Sequence, residues 1–333
     1  MKEFSIIIAT KDRNKSIERL FNSMNSTHFL KRKDIEIIVI DNNTDIKSST
    51  TLEILCKKYR LKYSKEIRSG KSYAISTGIK LSEGKYFVII DDDAEIIDNT
   101  WIDKLKLNFL RYPRLGYASG NVLAKSTESK AQLIWEKKGG LSKGSVYKYF
   151  STDYINTFKI SPIPLSKIFA GCNSMISRDV IKKVGGYNYF FNHGNSSTIG
   201  HGDSLESGYR LINAGYAIVY DPKAIVLHNH PKEEATLKKK LFYYGRGDSA
   251  LHLYLFFKYF DFRCLFWALG GHQLYIFKNL IKSLMGNYAL PSSYVIQSLV
   301  GSVIGPYVFL DKYLIFKLKG NIDYEKNIFC DNK

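Results

Sequence analysis

Short apolar runs alternate with segments of helical periodicity along the first third of the chain. The runs are rich in Ile, Val and Tyr, which is typical of strands buried on both faces, and they span residues 4–9, 35–40, 61–64 and 86–90. Between them, apolar residues recur at the i, i+3, i+4, i+7 spacing of a helix: Ile17, Leu20, Phe21 and Met24, then Leu52, Leu55, Cys56 and Tyr59. The alternation predicts an α/β domain built on a doubly wound, mostly parallel sheet.

The middle of the chain is less regular. Residues 115–170 show no clear periodicity, so we assign no elements there. Order returns afterwards, with a predicted helix that ends at Gly185, a second helix near 204–213 and two strands around 216–228.

A change in composition marks the last part of the chain. From residue 232 the chain is rich in Lys, Leu, Phe and Tyr and keeps a helical period. We therefore expect a domain over residues 1–231, with halves at 1–115 and 116–231, followed by a basic amphipathic helical extension over residues 232–333. Such helices either lie in a membrane interface or pack on the neighbouring domain, and the sequence leaves both open.

The net charge limits the classes of binding partner, and the cysteine content indicates the cellular compartment. The chain has 49 Lys and Arg against 31 Asp and Glu, a net charge of +18, which favours nucleic acid, acidic phospholipid or phosphorylated small molecules. Four scattered cysteines match neither a disulfide framework nor a zinc ribbon, which suits a reducing compartment. We expect a cytoplasmic protein.

Neither end of the sequence predicts an obvious membrane segment. The N-terminus leads directly into an apolar strand pattern without a basic region or a cleavage site, so we expect no secretory signal. The long uncharged stretch over residues 287–310 contains Pro, Ser and Gln, which is poor material for a spanning helix.

Polar side chains follow each of the four predicted strands. They occupy residues 10–13, 41–43, 68–71 and 91–93. Because ligands of open α/β sheets bind beyond the carboxyl ends of the strands, we expect all four groups to face one crevice.

Three consecutive acids, Asp91, Asp92 and Asp93, are the most informative group. Like charges this close repel one another by roughly 1 to 4 kcal/mol per pair, so a divalent cation is a natural partner. Mg²⁺ and Mn²⁺ prefer oxygen ligands and commonly share them with substrate phosphates. A solvated acidic turn is the alternative interpretation.

The other strand ends offer complementary chemistry. Asp41 can accept hydrogen bonds from a base or from ribose hydroxyls, although a carboxylate in Asp-Asn-Asn is also common in simple turns. Arg13, Arg68 and Lys71 can supply positive charge for a pyrophosphate, and each is equally compatible with a solvated surface position.

The order and spacing of these groups resemble the family 2 glycosyltransferases of the GT-A fold. The resemblance is carried by residues 5–13, 38–42 and 78–93, and then by 171–187 and 202–211. It implies an enzyme that transfers a sugar from a nucleoside diphosphate, usually uridine diphosphate, to an acceptor hydroxyl in bacterial surface polysaccharide or lipid-linked glycan assembly. Residues 1–115 would then bind the nucleotide, and residues 116–231 would hold the acceptor and the catalytic base.

The resemblance also implies roles for individual residues. Thr10, Asp41 and a central acid, Asp92, would hold the nucleoside. Asp91 and Asp93 would form the DXD pair on Mn²⁺ or Mg²⁺, with Asp93 the stronger ligand and His228 completing the metal or phosphate site. Cys172 and Asn173 lie in the segment that is similar to the acceptor region. Many relatives carry Arg-Asn near residues 74–78, where this chain does not, so Arg68 or Lys71 would take over that phosphate contact.

The catalytic base is assigned by the same resemblance. The family base lies in an acidic pair six or seven residues before an arginine, which corresponds here to Asp203 before Arg210. Because Ser204 replaces the second acid, Glu206 remains a rival. We locate no second nucleophile for a retaining mechanism, so we expect inversion.

Four other interpretations are weaker. A P-loop is excluded at Ser69-Gly70-Lys71-Ser72 because the first glycine of that motif is missing. A dinucleotide-binding fingerprint is excluded at Gly245-Arg246-Gly247 because these residues follow a helical pattern, whereas that motif follows a strand. A nucleotidyltransferase would not explain the segment from Asp203 to Arg210, and a non-catalytic nucleic-acid or membrane module would leave the four strand ends unexplained. We expect no nucleic-acid partner, and a peripheral position at the inner membrane face if the extension binds anionic lipid.

Overall fold

The computed structural model describes residues 2–169, 171–192, 199–326 and 328–329. Within these residues nine strands form one sheet: β1 Phe4–Thr10, β2 Ile35–Asp41, β3 Lys62–Lys65, β4 Tyr86–Ile90, β5 Ala94–Ile96, β6 Leu115–Ala124, β7 Lys148–Phe150, β8 Asn173–Ser177 and β9 Ala217–His228. The helices are α1 Asn14–Ser26, α2 Ile46–Tyr59, α3 Lys71–Leu81, α4 Trp101–Arg111, α5 Lys130–Lys137, α6 Thr152–Asn156, α7 Leu165–Ile168, α8 Arg178–Val184, α9 Asp203–Asn213, α10 Glu234–Tyr259, α11 Phe262–Phe266, α12 His272–Leu284 and α13 Ser292–Leu318.

The sheet has the order β3-β2-β1-β4-β8-β6-β9-β5, with β7 paired to β9. Its first four strands are parallel, as predicted, and Phe4 of β1 lies in register with Ile35 on one side and Tyr86 on the other. Strand β8 is antiparallel to both β4 and β6, which joins the parallel half to a mixed half. The α/β prediction with a mostly parallel sheet and a C-terminal helical region is confirmed.

Two apolar cores cover the two faces of the sheet. In β1, Phe4, Ile6 and Ile8 join a core with α1, α2 and α4, whereas Ile7 points into a second core with α3, α8 and α9. This two-sided burial explains why β1 is a continuous apolar run rather than an alternating one.

One region without a prediction is structured, and one local prediction was wrong. The irregular region contains strand β6, whose Ser119, Gly120 and Asn121 interrupt the apolar run but are buried beside β8 and β9. The two strands expected around 216–228 are one long strand, β9. Its apparent break at Pro222 is an irregularity in the pairing with β6, because Gly120 pairs with Asp221 and Asn121 pairs with Ile225.

The extension is built on the parallel helices α10 and α13. Ser298 donates to the Leu241 carbonyl near their starts, and the rings of Tyr254 and Tyr313 are 5.6 Å apart near their ends. The backbones approach closely at glycines, because a Cβ at Gly301 would lie 2.1 Å from the Phe242 carbonyl oxygen. Small residues permit this kind of contact.

Much of the outer surface of the extension is apolar. Among the described helices, α13 is the one long and apolar enough to cross a membrane by length and composition, with a mean hydropathy of 1.4 over its most apolar window and 22% of that window buried. Exposed apolar side chains lie on α13, at Val303, Tyr307, Leu314 and Leu318, and continue over the segment from α11 to α12: Phe262, Phe266, Leu269, Leu274, Phe277 and Leu284.

Candidate active site

The acid cluster lies in the turn between β4 and β5. Pairing of β5 with β9 sets Ala94 opposite His228, so the last side chain of β9 reaches the acids. His228 Nε2 lies 3.1 Å from Asp93 Oδ1 and 3.8 Å from Asp91 Oδ2. One ligand atom from each of these three residues lies within 4.8 Å of the others. The structure thus brings together the three residues that the sequence suggested as metal ligands.

These three side chains strongly influence one another. Burial alone would lower the pKa of His228, but the adjacent carboxylates of Asp91 and Asp93 outweigh it and raise that pKa to about 9. Burial would raise the pKa of Asp91, whereas Lys71 and His228 hold it well below its usual range. Asp92 differs, since burial raises its pKa to about 6 despite the neighbouring Arg13.

The donor set of the cluster fits a divalent cation. Two carboxylates and one imidazole are ligands that Mn²⁺ and Mg²⁺ accept. Buried Asp93 Oδ1 also has no aligned hydrogen-bond donor among the described residues. Asp91, Asp93 and His228 are therefore the residues that could hold a metal here.

Lys71 connects the acids to a second part of the cleft. It begins α3 directly after Gly70, whose φ of +133° and close packing on Asn192 exclude a side chain at that position. Its Nζ lies 2.5 Å from Asp91 Oδ1. Asp91 and Asp203 overcome the effect of burial and raise the pKa of Lys71, so the ammonium stays charged.

The predicted nucleoside residues lie on the β1 and β2 side of the acids. Thr10 Oγ1 donates to Asp92 Oδ2 at 2.7 Å, and Arg13 Nη1 lies 3.1 Å from Asp92 Oδ1 and 3.0 Å from Asp93 Oδ2. Asp41 is fully buried and accepts hydrogen bonds from Tyr63 and Lys65. Its role toward a nucleoside stays a prediction.

Arg68 has a different environment from the other predicted cations. Its guanidinium pairs with Glu66 Oε2 at 2.8 Å and lies 4.7 Å from the centre of the Tyr73 ring. Of the two candidates for the phosphate contact, Lys71 is the one whose charged group reaches the acid cluster.

Helix α9 carries both candidates for the base. Asp203 is its first residue, follows Gly202 at φ +122°, and is close enough to Lys71 and Tyr187 to affect the pKa of each. Glu206 is fully buried, and its Oε2 accepts from Arg210 Nε at 3.0 Å. Glu206 thus has a structural partner on its own helix, whereas Asp203 lies within electrostatic range of Lys71.

The two predicted acceptor residues are both buried. Asn173 donates to the backbone carbonyls of Asn121 and Ala224, which braces β8 against the neighbouring strands. Burial, with a contribution from Asp91, raises the pKa of the Cys172 thiol to about 12, so this cysteine is an unreactive thiol near the acids. Their contact with an acceptor stays a prediction.

The model of glycosyl transferase family 2 matches residues 5–185, which is more than half of the chain. The chain belongs to glycosyl transferase family 2. A related sequence, an uncharacterized glycosyltransferase of Rickettsia conorii (strain ATCC VR-613 / Malish 7), is 27% identical over 146 residues, which cover 44% of this chain and 23% of that protein. The chain therefore matches under a quarter of that relative's length.

A solved structure shares the fold of this glycosyltransferase. A mannosyltransferase from Pyrobaculum calidifontis, in complex with GDP-Man and Mn²⁺, aligns with a TM-score of 0.52 and 13% identity, over 96% of this chain and 75% of its own. At this identity the likeness establishes the fold, which is of the GT-A type, and no residue role.

Several residues of the site escaped sequence analysis. Asn192 holds the loop before α3 of this glycosyltransferase, since its side chain accepts from Ser72 N and donates to the Ser69 carbonyl. Nothing in the local sequence signals a contact across 120 residues. Lys65, by contrast, ends strand β3, and its position at a strand end could have suggested its contact with Asp41.

Proposed function

We propose that this glycosyltransferase moves a sugar from a nucleoside diphosphate sugar, with uridine as the expected base, onto an acceptor hydroxyl with inversion at the anomeric carbon. The observation that carries the proposal is Lys71, whose ammonium contacts Asp91 and is close enough to Asp203 for that carboxylate to raise its pKa. Lys71 would thus lie between the two parts of the reaction, with Asp91 on the side of the donor phosphates and Asp203 on the side of the acceptor.

The residues divide the work of a single displacement. The acceptor oxygen forms a bond to the anomeric carbon while the bond from that carbon to the phosphate oxygen breaks, and the electron pair leaves with the nucleoside diphosphate. Asp203 accepts the hydroxyl proton. Lys71 and Arg13 place positive charge where the departing diphosphate becomes more negative. A divalent cation, Mn²⁺ or Mg²⁺ on Asp91, Asp93 and His228, supplies further charge neutralisation when bound.

The extension supports a location at the cytoplasmic face of a membrane, with residues 1–231 as the catalytic unit and 232–333 as the membrane-facing unit. Its exposed apolar side chains, such as Phe266 at 72% and Leu318 at 78% exposure, are unusual for a surface in water. The excess of Lys and Arg is shared by both parts of the chain. The exposed apolar side chains of the extension therefore support the membrane proposal more strongly than its positive charge does. A lipid-linked glycan or surface polysaccharide intermediate is the acceptor class that suits this location.

Release of nucleoside diphosphate from a panel of nucleotide sugars, with Mn²⁺ and without added acceptor, tests the donor chemistry. Slow hydrolysis, in which water replaces the acceptor, is expected for one base and one sugar. The GDP-Man bound by the mannosyltransferase makes guanosine the comparison arm. Absence of release and of binding for every nucleotide sugar would contradict the proposal.

A further inference from the structure

Two lysines pack against the Trp135 ring and have no carboxylate or hydrogen-bond partner among the described residues. Lys138 follows α5, and Lys240 lies on α10; their Nζ atoms are 5.3 and 4.9 Å from the centre of the Trp135 ring. Among the described residues, neither ammonium has a carboxylate within ion-pair distance or a hydrogen-bond acceptor. Their donor capacity is therefore available to a ligand.

A chain of ring contacts connects these lysines to the acid cluster. The rings of His228 and His230 are 5.1 Å apart, and those of His230 and Trp135 are 6.3 Å apart. His230 is only 3% exposed, and its Nδ1 is buried without a hydrogen-bond partner among the described residues. The lysine pair is thus connected to His228 through two packed rings, the indole of Trp135 and the imidazole of His230, whose Nε2 lies 2.9 Å from Glu136 Oε1.

Like charges are held together at this place. Desolvation, followed by repulsion from Lys240 and Lys143, lowers the pKa of Lys138 to about 8. Lys143 uses its own ammonium to donate to the Ser166 carbonyl at 2.7 Å. A bound anion would relieve this repulsion.

The same place adjoins the apolar extension. Trp135 belongs to one buried cluster with Leu241 of α10, Ile276 of α12 and Tyr294 of α13. Helix α12 then exposes apolar side chains on its remaining surface: Leu274, Phe277, Ile281 and Leu284. A ligand that places an anion on the lysines therefore has apolar surface close by.

We propose that Lys138 and Lys240 form a subsite for a phosphate group on the acceptor, and that this acceptor is an amphiphile whose apolar part contacts the extension. The subsite rests on the proposed glycosyl transfer but is separate from donor binding. Two ammonium groups supply up to six donors to the phosphate oxygens, and the nucleotide side of the cleft is left free for the donor.

Decyl phosphate, used below its micelle concentration, is the probe, and its binding is measured by calorimetry on the full chain. The double variant Lys138→Met/Lys240→Met should bind it at least about tenfold more weakly, because two charge-assisted contacts are lost. The matched control, Lys137→Met/Lys239→Met, removes the same charge from exposed neighbours and should stay within about twofold of the wild type. The variant Lys138→Arg/Lys240→Arg should keep most of the affinity.

Further arms separate this subsite from its competitors. Inorganic phosphate should bind more weakly than decyl phosphate and compete with it, and neutral decyl maltoside should not distinguish the double variant from the wild type. Nucleoside diphosphate with Mn²⁺ should bind all variants equally, and thermal unfolding checks that they fold. Unchanged decyl phosphate affinity in the folded double variant overturns the subsite. Loss of nucleoside diphosphate affinity in that variant also overturns it, since the lysines would then serve the donor. Failure of the wild type to bind any nucleotide would refute the proposed function instead.

Discussion

Arg210 Nε donates to Glu206 Oε2 at 3.0 Å inside the protein, and both side chains are almost completely buried. Arg210 also donates to the carbonyls of Val184 and Gly186 and lies 3.7 Å from the centre of the Tyr324 ring. Glu206 therefore anchors an arginine that ties helix α9 to α8 and to the C-terminal segment. A carboxylate committed in this way is poorly suited to accept a proton from an acceptor.

Asp203→Asn should leave donor affinity intact and lower kcat by about 10² to 10⁴, because the amide keeps the shape of the side chain but cannot take the proton. Steady-state kinetics and calorimetric donor binding on the same preparation test this. Normal turnover by this variant, together with an inactive but folded Glu206→Gln, would transfer the role of base to Glu206.

Glu206→Gln should chiefly destabilise the protein. Removing the charge leaves Arg210 buried without its ionic partner, which typically costs about 3–5 kcal/mol. The free energy of unfolding from denaturant titration is the measurement, with Glu53→Gln on exposed helix α2 as the control, since its pair with Lys57 is solvent-exposed and contributes less than about 1 kcal/mol. Equal stability of the two variants would show that the buried pair does not anchor α9.

Lys71→Met should weaken nucleoside diphosphate binding by at least about tenfold, because the charge next to Asp91 is lost. Lys85→Met, an exposed lysine before β4, is the matched control and should bind like the wild type. If both variants bind the diphosphate equally well, Lys71 does not contact the donor and only neutralises the acids.

Gly301→Ala should lower the free energy of unfolding by about 1–3 kcal/mol, because its Cβ would meet the Phe242 carbonyl and force α10 and α13 apart. Gly270→Ala has open space around it and should be neutral or slightly stabilising. Thermal unfolding of the two variants side by side tests the glycine contact. Identical behaviour would mean that the helices do not pack through their backbones.

Co-sedimentation with anionic vesicles should detect the extension, and salt should reduce the electrostatic part of the binding. Leu314→Glu/Leu318→Glu, at positions that are 62% and 78% exposed, should weaken vesicle binding without loss of folding. If the double variant binds vesicles as well as the wild type, the apolar face does not contact the membrane and would instead serve contacts between protein chains.

The parallel half of the fold could be predicted from the sequence because strands that are buried on both faces, such as β1 and β4, consist of continuous apolar runs. It also predicted that the acids face the cleft, since strand ends in an α/β sheet converge regardless of intervening loops, whereas His228 was suggested by the family resemblance. Strand β6 was missed because Ser119, Gly120 and Asn121 are polar or small yet buried, and their burial depends on partners such as Asn173 that only folding brings near.

The sequence contained one further clue to the choice between Asp203 and Glu206 as the catalytic base. Glu206 and Arg210 are four residues apart, the spacing of an ion pair on one helix face. The sequence could therefore have suggested that Glu206 was engaged. Its complete burial, which makes that pair structural, required the tertiary packing of Tyr324 and the carbonyls of α8 and its neighbouring loop.

We propose that Asp91, Asp93 and His228 hold a divalent cation that is needed for binding a nucleoside diphosphate. The most direct measurement is calorimetric titration of UDP and GDP into the wild type and Asp93→Asn, each with Mn²⁺ and with excess EDTA. We predict binding of one of the two nucleotides to the wild type with Mn²⁺, and at least about a hundredfold weaker binding after either EDTA or the substitution. Equal affinity in Mn²⁺ and in EDTA, or no effect of Asp93→Asn, would show that this metal site is not needed for nucleotide binding.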